Sequence, residues 1–179
     1  DNFIYNLYID LNMVLISGKK ILTYMSLLEN INILNSYSFN INIYSLIQKY
    51  PDSIIGYIKK NNKIVGAGFA NTDPPNKGYK YKTMFLYNFS THPDYQGKGI
   101  CKQLVNEFIF KYGKTHILYL QVRTDPKNIN YAAIKCYESN NFILLPQANN
   151  SSHYDGLNSI MIRVPHKILS KKSSKRSRK

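Results

Sequence analysis

Six residues, Gln96-Gly97-Lys98-Gly99-Ile100-Cys101, carry the most chemical information in this chain of 179 residues. They follow an apolar run from Phe85 to Phe89 and a proline-aspartate turn at Pro93-Asp94, and they lead into an amphipathic pattern. Glycines at alternate positions let backbone N–H groups converge without Cβ clashes, and a helix start adds its positive dipole end. The chemistry this order of strand, loop and helix suits is holding a pyrophosphate. Two other glycine loops fit badly. A P-loop needs Lys-Ser/Thr after its last glycine, where this chain has Ile100-Cys101. A dinucleotide fingerprint needs a third glycine where Lys102 stands.

The segment closely resembles the Gln/Arg-x-x-Gly-x-Gly/Ala signature of the GCN5-related N-acetyltransferase family, with Gln96 and Gly99 at its defining positions. Cys101 departs from the small sixth residue. A second block follows in the right order: Ile117 to Arg123, a strand by its β-branched and aromatic content, then Asn130, Ala133 and Tyr137 at a spacing of three and seven that aligns them on one helix face. The Gly-Phe that usually ends this helix reads Asn141-Phe142, and asparagine also tolerates a left-handed helix end. A third block, Ser152 to Arg163, is similar to the ending of the ribosomal-protein alanine and protein N-terminal acetyltransferase branch, with His153, Asn158 and Ser159 as substitutions. A hairpin turn around Asp155-Gly156 explains the same residues without function.

The resemblance implies an α/β fold: a mixed, mostly antiparallel sheet splayed between strands 4 and 5 and flanked by helices. It implies acetyl-CoA as cosubstrate, a primary amine as acceptor, and no metal. The backbone of Phe89, Ser90 and Thr91 should bond pantetheine and the thioester carbonyl. Main-chain N–H groups of Gln96, Gly97, Lys98, Gly99, Ile100 and Cys101 should hold the pyrophosphate, with Lys98 or Lys102 adding charge. Asn130 should contact the cofactor. Tyr137 should protonate the leaving thiolate, and an unperturbed pKa near 10 suits that task. The family branch places a glutamate second in a Leu-Glu-Val-Arg strand, and here Gln121 stands in that position. Glutamine cannot accept the proton near neutrality, so it orients a water, or His116 or His153 acts instead.

The elements that must position these residues are legible from Ile43 onward. Tyr44, Leu46, Ile47 and Tyr50 mark a short helix that Pro51 ends. Ser53 to Lys59 and Lys63 to Ala70 read as strands joined at Lys60-Asn61-Asn62, and Asn71 to Lys80 as a loop. Gln96 to Gly113 reads as a helix burying Leu104, Val105, Phe108 and Ile109. Thr124 to Ile129 are extra residues between strand and helix, and Phe142 to Leu145 and Ser159 to Val164 complete the sheet. Lys20 to Leu34 fits one helix with Leu27, Leu28, Ile31 and Leu34 on a face, while Ile4 to Leu11 fits strand or helix. The opening strand of the family is not recognisable.

Residues 1–166 suit a single domain, and 167–179 a disordered basic tail rich in Lys and Arg from Lys171 to Lys179. The net charge of +14 reflects that tail together with heavy use of Asn, Ile, Lys and Tyr, a bias expected of an A+T-rich genome. The tail is a solubilising end, a nuclear-import signal or a grip on polyanions. No apolar run reaches membrane-spanning length and the start does not read as a signal peptide, so the expected location is cytoplasmic, or nuclear through the tail. Cys101 and Cys136 make no disulfide framework, and a reducing compartment is the default. Besides an active N-acetyltransferase, two classes stay open: an inactive acetyl-CoA-binding domain, suggested by Gln121, and a nucleic-acid or polyanion binder on the same fold.

Overall fold

The computed structural model describes residues 12–73, 81–145 and 158–165. The tail, the start up to residue 11, His153 and the Asp155-Gly156 turn lie outside the described residues. The elements run β1 (Asn12–Ser17), α1 (Gly18–Ile21), α2 (Met25–Ser36), α3 (Ile43–Lys49), β2 (Ile54–Lys60), β3 (Lys63–Thr72), β4 (Lys82–Thr91), α4 (Ile100–Tyr112), β5 (His116–Arg123), α5 (Tyr131–Glu138), β6 (Ile143–Leu144) and β7 (Asn158–Arg163). Their hydrogen-bond order is β1-β2-β3-β4-β5-β7-β6 in a seven-stranded sheet, with β4 and β5 parallel. This is the mixed, mostly antiparallel α/β arrangement expected.

Two compact units make up the chain, Asp1–Asn71 with Tyr87–Glu107, and Thr72–Leu86 with Phe108–Lys179. In the first unit, β1 and β2 pair antiparallel from Asn12↔Lys59 to Ser17↔Ile54, and β2 turns back into β3. Asn61 and Asn62 both have positive φ, 47° and 61°, the conformation of a two-residue type I′ hairpin. The strands are buried on both faces, which gives continuous apolar runs rather than alternation. One face meets Ile21, Leu28, Ile31, Leu34, Ile43 and Ile47 from α1, α2 and α3. On the other, Ile58 and Val65 pack with Ile100 and Leu104 of α4.

That second contact depends on a missing side chain. A Cβ at Gly66 would lie 2.3 Å from Ile100 Cγ2 and 3.0 Å from Leu104 Cδ1. Gly66→Ala is therefore expected to push the first turn of α4 off β3 and to lower stability by about 1–3 kcal/mol. Urea denaturation checks this: the midpoint should fall at unchanged m-value.

In the second unit β5 pairs with β7 along its length, from Leu118↔Arg163 to Arg123↔Asn158. Its ladder to β4 is shorter, from Lys82↔His116 to Leu86↔Leu120. Met84, Leu86, Leu118, Leu120, Val122, Met161, Tyr137 and Phe142 are buried. Asn141 ends α5 with φ 63°, and the N–H groups of Asn140 and Phe142 return to the Tyr137 carbonyl at 2.9 and 3.1 Å. The left-handed helix end expected of Asn141 is present.

Several boundaries differ from the sequence reading. The stretch taken as one helix breaks at Leu22–Tyr24 into α1 and α2, where the Thr23 hydroxyl donates to the Lys20 carbonyl at 2.7 Å. The helix after the glycine loop starts at Ile100, not Gln96, because positive φ at Gly97 and Gly99 is incompatible with helix. An opening strand exists as β1, and β3 continues to Thr72.

Candidate functional site

In the first unit β4 ends in an irregularity. Asn88 has φ 50°, two residues beyond the last β4–β5 pair. Past it, the Phe89 ring lies over Gly68, where a Cβ would come within 2.6 Å of two ring carbons. Ser90 is buried and its hydroxyl donates to Asn35 Oδ1 at 3.5 Å, while Phe89 and Thr91 are half-buried. The His92 N–H returns to the Val65 carbonyl at 2.9 Å and fixes the strand end on β3. Pro93–Tyr95 then form a short 3₁₀ turn.

The loop supplies fewer donors than its sequence promised. Gln96 N–H donates to the Pro93 carbonyl at 3.2 Å, and Lys98 N–H to the Tyr95 carbonyl at 3.4 Å, so both are engaged in the loop itself. Gly97, Gly99 and Ile100 keep N–H groups with no acceptor among the described residues. Gly97 and Gly99 have φ 72° and 79°, and nothing lies within 4 Å of where their Cβ atoms would be. Backbone handedness rather than crowding requires glycine there. The N-terminus of the thirteen-residue α4 adds its dipole at Ile100. Neither Cys101 nor Cys136 is a free thiol, against the reduced state expected.

In the second unit Gln121 is exposed on β5, opposite Ile160 of β7. Tyr119 shares its face, as residues two apart in a strand do. The Tyr119 hydroxyl donates to Asp73 Oδ1 at 3.0 Å, the Thr83 hydroxyl donates to Asp73 Oδ2 at 2.6 Å, and the Phe85 and Tyr119 rings stack at 5.1 Å. Burial, then the Asp73 carboxylate as hydrogen-bond partner and as charge, raises the Tyr119 pKa strongly. In the sequence Asp73 opens a proline-rich stretch with the look of a plain loop, and nothing there marks its carboxylate. His116 stands at the start of β5, five residues from Gln121 and on the opposite face, bonded to Thr115 at 2.8 Å. Burial, then the Lys82 charge, lowers its pKa and keeps it neutral.

The residues after β5 form an ordered connection. Arg123 pairs with Asp125 at 3.4 Å, the Lys127 N–H donates to Asp125 Oδ1 at 3.0 Å, and the Thr124 and Ser159 hydroxyls meet at 2.7 Å. Asn130 caps α5: its Oδ1 accepts the Ala133 N–H at 3.0 Å, and its own N–H donates to the Arg123 carbonyl at 3.0 Å. The cap fixes where α5 begins and leaves the exposed side-chain NH₂ for other partners. Two turns on, Tyr137 is 7% exposed, with its ring 6.2 Å from that of Phe142. Burial pushes its pKa up to about 12, so it remains a phenol, a donor, across the neutral range. Asn130 is exposed and Tyr137 buried, although their spacing aligns them on one face. Among the described residues no three His, Cys, Asp or Glu side chains could hold a metal ion.

A family model described as acetyltransferase (GNAT) family matches residues 25–142. No curated protein matches the chain. Solved structures do. Arabidopsis thaliana Naa50 in complex with the bisubstrate analogue CoA-Ac-MVNAL is 19% identical, with TM-score 0.60, over 86% of this chain and 97% of that one. The NatC complex bound to Gag peptide and CoA is 17% identical, with TM-score 0.62, over 86% and 96%. Ribosomal-protein-alanine N-acetyltransferase from Brucella melitensis is 16% identical, with TM-score 0.57, over 84% and 99%.

Proposed function

The chain belongs to the acetyltransferase (GNAT) family, as an N-acetyltransferase that takes acetyl-CoA as cosubstrate, and we propose that the amine it acylates is the N-terminus of a polypeptide. The observation that carries the cofactor assignment is the pair of positive-φ glycines at the start of α4, where the N–H groups of Gly97, Gly99 and Ile100 have no acceptor among the described residues. The peptide acceptor is supported by relatives of the same fold that were solved with peptides or named for a protein alanine, and by the Leu120-Gln121-Val122-Arg123 strand.

Acetyl transfer needs an amine without its extra proton, attack on the thioester carbon, and collapse of a tetrahedral oxyanion with loss of thiolate. In this proposal the backbone of Phe89, Ser90 and Thr91 bonds the pantetheine amides and the thioester oxygen as an added strand would. Gly97, Gly99 and Ile100 hold the pyrophosphate. Tyr137 gives its hydroxyl proton to the leaving sulfur, or stabilises it by a hydrogen bond. Gln121 orients a water that carries the amine proton away, since glutamine is not itself a base at neutral pH.

Release of free thiol from acetyl-CoA, measured across a panel of peptides with varied first residues, lysine peptides and small amines, tests this. Turnover is expected on peptide N-termini and to vanish when they are pre-acetylated. Turnover restricted to small amines overturns the peptide assignment. CoA binding without turnover on any amine makes the chain a binding domain, the reading that Gln121 also suggests.

A further inference from the structure

Beside the glycine loop, two lysines from separate segments of the first unit converge on one aromatic ring. Lys98 Nζ lies 5.2 Å from the Tyr95 ring centroid, and Lys60 Nζ, from the end of β2, lies 5.9 Å from it. Tyr95 is itself anchored on the cluster of Ile58, Val65, Ile100 and Leu104. Neither lysine forms an ion pair among the described residues, where the only pairs are Lys19–Asp52, His92–Asp94 and Arg123–Asp125. The two ammonium groups place two positive charges without an ion-pair partner beside the loop, and a dianion bound there gains from both.

We propose that Lys60 and Lys98, set by Tyr95, receive the 3′-phosphate of the cofactor's ribose and make the chain selective for CoA over 3′-dephospho-CoA. The inference rests on the acetyl-CoA reading above and adds a second anion subsite to it. The two kinds of phosphate ask for different partners. Each pyrophosphate phosphorus has one ester and one anhydride link and carries one charge, which neutral main-chain N–H groups at close range can satisfy, as at Gly97, Gly99 and Ile100. A phosphomonoester carries about 1.5 to 2 negative charges at neutral pH on three terminal oxygens. That group matches two full point charges on flexible stems, which lysine provides. Lys98 joins the two subsites, because its backbone belongs to the loop while its side chain turns to Tyr95.

Isothermal titration of the full chain with CoA and with 3′-dephospho-CoA tests this, because the two ligands share the pyrophosphate. The wild-type chain should bind CoA about tenfold more tightly, as expected for charge-assisted hydrogen bonds at a partly exposed site. Lys60→Gln and Lys98→Gln should each weaken CoA roughly three- to fivefold and leave 3′-dephospho-CoA unchanged. Lys49→Gln removes a lysine held over a different ring, that of Tyr50 at 5.3 Å, and should preserve the tenfold ratio. Equal affinity of the wild-type chain for both ligands overturns the inference. So does equal weakening of both by Lys60→Gln, or a ratio reduced as much by Lys49→Gln as by Lys60→Gln. Failure of the wild-type chain to bind either ligand removes the cofactor reading itself, an outcome distinct from equal binding.

Discussion

Gly99→Glu is expected to abolish the rise in melting temperature that CoA gives the wild-type chain. A ligand that binds only the native state at a hundred times its Kd adds about 2.7 kcal/mol, roughly 5–10 °C for a chain of this size. Two effects remove it. Gly99 has φ 79°, where a side chain costs about 1–2 kcal/mol of backbone strain. The larger effect is electrostatic, since a carboxylate would compete for the N–H groups of Gly97, Gly99 and Ile100 and repel the pyrophosphate. Gly99→Ala separates the two. The space beyond Gly99 is open, so alanine adds strain without charge or clash and should keep part of the shift. A Gly99→Glu chain that retains the full shift would show that the pyrophosphate lies elsewhere.

Tyr137→Phe should lower turnover roughly 10- to 1,000-fold, overlapping the range of a single positioned acid catalyst, and leave CoA binding intact. The ring and its burial are conserved and only the hydroxyl is lost. Because burial raises the Tyr137 pKa from 10.0 to about 12, the donor form persists well above neutrality. Tyr137 should therefore contribute no alkaline limb to the rate profile near neutrality, and the variant should show the wild-type pH dependence at lower amplitude. The sign for stability follows from the same shift. The folded pKa lies above the unfolded one, so the contribution of neutral Tyr137 is full below pH 10 and is lost as pH rises through about 12. Phenylalanine cannot ionise, and the variant should resist alkaline unfolding better. Unchanged turnover on the best peptide acceptor would reduce Tyr137 to packing.

What was legible in the sequence was legible for reasons of backbone chemistry. Glycines spaced by one residue, a hairpin at Asn61-Asn62 and a helix ended by Asn141 all show in residue type, since few side chains tolerate positive φ. Hydrogen-bond bookkeeping inside the loop was not legible: nothing in the letters shows that Gln96 and Lys98 give their N–H groups to Pro93 and Tyr95. β1 was missed because Met13 to Ile16 form an unbroken apolar run with no alternation. The break between α1 and α2 was missed because neither glycine nor proline marks it. Nor do the letters show that His116 opens β5 opposite Lys82, on the face away from Gln121. Asp73 became visible only when strand pairing brought Thr83 and Tyr119 to it.

All four non-glycine residues with positive φ among the described residues, Asn61, Asn62, Asn88 and Asn141, are asparagines. Asparagine codons contain no obligatory G and at most one C, whereas every glycine codon begins with two guanines. A coding sequence poor in G and C can thus build its left-handed corners from asparagine, the residue best able to replace glycine there. Glycine then persists where asparagine cannot serve. At Gly18, Gly66, Gly68 and Gly113 a Cβ would come within 3.0 Å of a neighbour, and among the described residues only Gly97 and Gly99, with φ 72° and 79°, are left-handed corners that stay glycine. Nucleotide bias thus sharpens the meaning of glycines 18, 66, 68 and 113, which mark close approach rather than a turn.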